Sequence, residues 1–134
     1  DNYKTASDQV SYAAFFKAGS RDGLMEANLV VCAKRLPTGG YRRGLSFGGG
    51  GNTTASFCEN NSCSPLHHNG VMKNNIVINC SEDLVYLNES QNTKVYNNTL
   101  INTSGYTSTY AVDLQFSSTT AEVKNNAMIS MCYE

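Results

Sequence analysis

The sequence is short of charge and balanced in sign. Only 16% of its 134 residues are charged, 10 Lys and Arg against 11 Asp and Glu, for a net charge of −1. A nucleic-acid-binding domain would carry a basic excess or stripe, so the composition argues against that partner. No apolar run approaches the roughly 18 residues of a membrane-spanning helix, which argues against a span. There is no initiating Met and no signal-peptide pattern. The chain opens at Asp1, as a mature secreted protein or a piece of a longer one does. Asn, Ser, Thr and Gly carry the polarity instead. That mix suits strands joined by tight turns, not long surface helices. The length predicts a single domain, 1–134.

Five cysteines are present, Cys32, Cys58, Cys63, Cys80 and Cys132. The odd count leaves at least one free or paired between molecules. Cys58 and Cys63 lie close together in a Gly- and Asn-rich stretch and are expected to form a local disulfide, which implies an oxidising compartment and a secreted, cell-surface or periplasmic location. Cys32 and Cys80 each follow an apolar strand and are expected to pack inside as small hydrophobes. Cys58, Cys63 and one of His67 or His68 fall short of the four ligands of a zinc site, and no metal is expected. The run 46–51, SFGGGG, lacks the Gly-Lys-Ser/Thr of a phosphate loop, and no cofactor is expected.

What is present is repetition. Segments 23–31 (GLMEANLVV), 70–78 (GVMKNNIVI), 93–101 (TKVYNNTLI) and 121–129 (AEVKNNAMI) align without gaps. Met25, Met72, Val95 and Val123 form one apolar column, and Val30, Val77, Leu100 and Met128 another. Asn28, Asn75, Asn98 and Asn126 occupy one position between them. The Asn-to-Asn steps are 47, 23 and 28 residues. The long step is one unit plus an inserted Gly/Asn-rich loop at 48–68. A second strand precedes each unit, at 14–16, 45–47, 85–87 and 112–114, with the first and third residues apolar, as in a strand with one face buried. A unit near 25 residues is too long for the hairpins of an antiparallel sandwich. It predicts coils that bury their apolar faces on copies of themselves. Stacked Asn amides, which both donate and accept, would then bond up the column and supply the left-handed corner. The expected fold is all-β, a right-handed parallel β-helix of about five coils.

Segments 70–80 (GVMKNNIVINC), 92–100 and 44–51 resemble the right-handed parallel β-helix proteins of pectate-lyase-like architecture, especially bacterial secreted repeat proteins. The chain looks like the last few coils of a longer member. The resemblance implies polysaccharide as partner and a substrate groove on the outward face of the first sheet. That face maps to Phe15 and Lys17, Arg43 and Ser46, Asp83, Tyr86 and Asn88, and Tyr110, Asp113 and Gln115. Phe15, Tyr86 and Tyr110 are aromatic platforms for sugars. Asp83, Asn88 and Gln115 are polar groups that fix orientation, joined by His68 from the end of the loop. A lyase needs a base and a cation, for which Lys17 with Arg21 or Arg43 are candidates. A glycosidase needs two carboxylates roughly 5–9.5 Å apart, for which Asp83 and Asp113 are candidates. The catalytic set is thus Lys17, Arg43 and Asp113. Each of these residues also suits an ordinary solvated strand.

The alternative function is structural or a non-catalytic binding module. Open coil ends expose unpaired backbone and apolar columns and would join copies end to end. Residues 4–11 are a weak cap for the first coil, and Cys132 is placed to crosslink such a contact. Sequons at Asn52, Asn60, Asn79, Asn88, Asn97 and Asn102 match chance expectation in so Asn-rich a chain, and Asn97 is expected at a packed corner.

Overall fold

The structure is a computed structural model and describes residues 10–32, 41–49, 54–103, 110–129 and 131–133, the last three as backbone only. The chain runs through β1 (Ser11–Phe16), β2 (Ser20–Arg21), β3 (Leu24–Glu26) and β4 (Leu29–Val31). It repeats the path in β5 (Arg42–Gly48), β6 (His67–His68), β7 (Val71–Lys73) and β8 (Ile76–Ile78), then in β9 (Asp83–Asn88), β10 (Ser90–Gln91), β11 (Thr93–Tyr96) and β12 (Thr99–Ile101). β13 (Tyr110–Gln115), β14 (Ala121–Lys124), β15 (Ala127–Ile129) and β16 (Met131–Tyr133) follow. Every described pairing is parallel. The front sheet is ordered β1-β5-β9-β13-β16 and a short corner sheet β2-β6-β10. Two further sheets run β3-β7-β11-β14 and β4-β8-β12-β15. The architecture is all-β and solenoid-like.

The apolar columns stack as the alignment predicts. Met25, Met72, Val95 and Val123 pair in register, as do Val30, Val77, Leu100 and Met128. In the front sheet Leu45, Val85 and Val112 share a column, and Phe47, Leu87 and Leu114 the next. These side chains form one continuous core. Burial declines toward the edges of the described stack: Val123 is 37% exposed where Val95 is fully covered.

Between the columns runs the asparagine ladder. Asn28 Nδ2 donates to Asn75 Oδ1, Asn75 to Asn98 and Asn98 to Asn126, each at 2.9 Å. The second amide proton goes to the preceding circuit's carbonyl, from Asn75 to Met25 and from Asn98 to Met72. The left-handed backbone belongs to the neighbour before each ladder residue: φ is 56° at Ala27, 57° at Asn74, 54° at Asn97 and 55° at Asn125. The Asn-Asn pair therefore divides two jobs that sequence reading assigned to one residue. It also corrects the placement of Asn97, which is exposed because only Asn98 turns inward.

Three other expectations change. Cys32 and Cys80 are buried but form a disulfide, since the β4–β8 register sets their Cα atoms 4.7 Å apart. Cys58 and Cys63 also pair, as expected. The inserted segment is shorter at both ends than 48–68. Gly48 closes β5, where φ is 78° and an added Cβ would lie 1.8 Å from the Asn88 carbonyl oxygen. His67 and His68 belong to the corner sheet, paired with β2 and β10. Residues 50–53 of the glycine run, most of the expected cap at 4–11 and the Cys132 side chain lie outside what is described.

His67 is fully buried, its ring stacked 4.3 Å from Phe47, with Ser20 Oγ 2.8 Å from Nδ1. A Cβ at Gly23 or Gly70 would come within 2.8 Å of this imidazole. That explains why these two repeats open on glycine. Beside the smaller Ser90, the next repeat opens on Thr93. Burial, then the charge of His68, lowers the His67 pKa from 6.5 to about 4, against a smaller opposing pull from Asp22. Between these values the unfolded chain binds a proton that the folded chain refuses. The His67 contribution is therefore complete above about pH 6.5 and lost as pH falls toward 4, by about 3 kcal/mol. Asp83, raised by burial from 3.8 to about 7, acts in the opposite sense over much of the same window. The expected observation is thus a difference. Urea unfolding of the wild type and of His67→Gln should show stabilities that diverge by about 3 kcal/mol between pH 7 and pH 4, the variant gaining on acidification. Parallel profiles would rule it out.

Candidate functional site on the front sheet

Phe15, Ser46, Tyr86 and Asp113 share one outward column of the front sheet. Three residues upstream Tyr12 is in register with Arg43, and Asp83 with Tyr110. Arg43 organises this face. Its Nε lies 2.9 Å from Asp83 Oδ2 and 2.8 Å from Glu82 Oε2. One terminal nitrogen donates to Tyr12 Oη at 2.8 Å and the other to Glu82 Oε1 at 2.9 Å. The guanidinium carbon sits 3.5 Å from the centre of the Tyr86 ring, a close cation–π stack. Tyr86 is held by Asn88, whose amide donates to its hydroxyl at 2.6 Å.

Burial works against the Arg43 charge, but the Tyr12 hydroxyl, the Glu82 carboxylate and Tyr86 outweigh it and hold the guanidinium more firmly protonated than usual. Asp83 is 1% exposed. Burial drives its pKa up to about 7, opposed by Arg43 and assisted by the charge of Asp113. Burial raises Tyr86 and Asp113 as well.

Two concavities open on this face. The first, about 700 Å³, is lined by Tyr12, Phe15, Arg43, Tyr86, Asn88 and Glu89 among others. The second, about 610 Å³, is lined by Tyr110, Asp113, Gln115 and Thr119 with their neighbours. The structure thus gathers Phe15, Arg43, Tyr86 and Asn88 in one hollow and Tyr110, Asp113 and Gln115 in the next. Asp83 lies beneath Arg43. Lys17 borders neither hollow; its ammonium is 5.9 Å from the Phe15 ring centre. His68 is on the corner sheet, away from both. Sequence reasoning missed Tyr12 and Glu82. Its front strands began late, three residues at 14 and two at 85, whereas β1 starts at Ser11 and β9 at Asp83. Aligning the flanks would have set Tyr12, Arg43 and Asp83 in one column.

Among the described residues no three His, Cys, Asp or Glu side chains converge to hold a metal ion. Among them also, no helix is long and apolar enough to cross a membrane. Comparison with protein-family models, with curated protein sequences and with solved structures returns no match for this chain.

Proposed function

We propose that the chain is a right-handed parallel β-helix of about five coils, pectate-lyase-like in architecture, that works outside the cytoplasm and binds polysaccharide on its front sheet. The observation that carries this is the first hollow. Tyr12 and Phe15 offer aromatic surface, while Asn88 and Glu89 offer directed polar groups, the composition of a sugar site. The two disulfides are compatible with an oxidising environment.

Binding fits this geometry better than turnover. A lyase base must reach the proton it removes, and Lys17 stands outside both hollows while Arg43 is committed to its ion pairs. The carboxylates are divided in the same way: Asp83 is covered and paired, and Asp113 opens into the second hollow.

Phe15 is 44% exposed and lines the first hollow, so it can be truncated without opening the core. Phe15→Ala is expected to weaken glycan binding about tenfold, the equivalent of about 1.4 kcal/mol of lost stacking, with the unfolding midpoint unchanged. Affinity electrophoresis across a polysaccharide panel checks this. A wild-type chain that no glycan retards would end the proposal.

A further inference from the structure

The charge on the front face has a sign, and it is not the sign that a uronate polymer needs. The cation Arg43 is already matched by Glu82 and Asp83. The carboxylates lining the two hollows are Glu89 in the first and Asp113 in the second. Asp113 is the telling one. It is only 7% exposed, it opens into the hollow of about 610 Å³, and although the charge of Arg43 reaches it, no described protein group hydrogen-bonds its carboxylate. A carboxylate so far removed from water is costly unless something pairs with it. Neutral Gln115 and Thr119 border the same hollow and supply hydrogen-bonding groups for hydroxyls.

Resting on the carbohydrate-binding reading, we infer that the ligand is an amino-sugar polymer with free ammonium groups, one of which pairs with Asp113 in the second hollow while a neighbouring sugar lies against Phe15 in the first. Asp113 and Tyr86 are register partners on adjacent strands, so the two subsites follow one another across the sheet. A charge-assisted hydrogen bond to a nearly buried carboxylate is stronger than a neutral one. A polyuronate would place its own carboxylates against Glu89 and Asp113.

The test uses the full chain and three probes in titration calorimetry: fully deacetylated glucosamine hexamer, its N-acetylated counterpart and polygalacturonate. The deacetylated hexamer is expected to bind at least tenfold more tightly than the acetylated one, with polygalacturonate weakest. Asp113→Asn should lower affinity for the deacetylated hexamer at least tenfold and narrow its advantage over the acetylated form. Glu89→Gln, an isosteric change at an exposed position, should lower it two- to threefold. Polygalacturonate binding best, or an advantage unchanged in both variants, would overturn the amino-sugar assignment and leave carbohydrate binding standing. Silence from all three probes and from the wider polysaccharide panel would remove both.

Discussion

Asn98→Leu should destabilise the protein by about 4 kcal/mol, although the two side chains have nearly the same shape. Asn98 is 1% exposed and fully employed. Its Oδ1 accepts from Asn75 N at 3.0 Å and from Asn75 Nδ2 at 2.9 Å, and its Nδ2 donates to Met72 O and to Asn126 Oδ1. Leucine removes all four bonds and strands partners in the interior, each costing about 1–3 kcal/mol before local relaxation. Asn97 is the control. It is exposed and supplies only the left-handed turn, with φ of 54°. Asn97→Gly, which suits that conformation, should change stability by less than about 1 kcal/mol. Urea denaturation checks both, with a shifted midpoint and an unchanged slope. Equal costs at the two positions would contradict the division of labour within the pair.

The second large effect concerns the disulfide joining two circuits. Cys32 and Cys80 are 48 residues apart, so their bond restricts a long stretch of the unfolded chain; Cys58 and Cys63 are only 5 apart. Loop-closure entropy then assigns about 4 kcal/mol to the first bond and about 2 kcal/mol to the second. The paired variants Cys32→Ala with Cys80→Ala, and Cys58→Ala with Cys63→Ala, should lose stability in that order by denaturant titration. A reversed order would mean that the long bond is not closed in the folded protein.

Much of the fold was legible because a stacked architecture writes its contacts into the sequence as columns. Met72, Val95 and Leu100 could be placed from alignment alone, since register neighbours in a parallel stack occupy equivalent repeat positions. The Asn column was readable for the same reason. What escaped was what the columns do not encode. Cys32 and Cys80 looked like small apolar residues because each was read against its own strand; their partnership is visible only when the strands are laid on one another. His67 read as the tail of a loop, because the room for its ring is made by glycines 44 residues before it and 3 after it, at Gly23 and Gly70. The front face was legible as a face, since alternation predicts that Phe15, Tyr86 and Asp113 point outward. Their surroundings were not. Alternation gives no sign that Arg43 would close over Asp83, and the partners that fix Arg43 lie 31 to 40 residues away. For the same reason Lys17, chosen as a companion to Arg43 because both map to the outward face of the front sheet, lies beyond the hollow that Arg43 lines.

The amide column also has a direction. Every described link hands its proton the same way along the stack, from Asn28 toward Asn126. The two extremities are therefore unlike, as are the poles of a magnet. At one, Asn28 offers a carbonyl oxygen to whatever brings an N–H; beyond the other, only an acceptor can prolong the series. Chain added at either extremity must obey that polarity, so like ends are mismatched and only a head-to-tail arrangement could continue the column without a break.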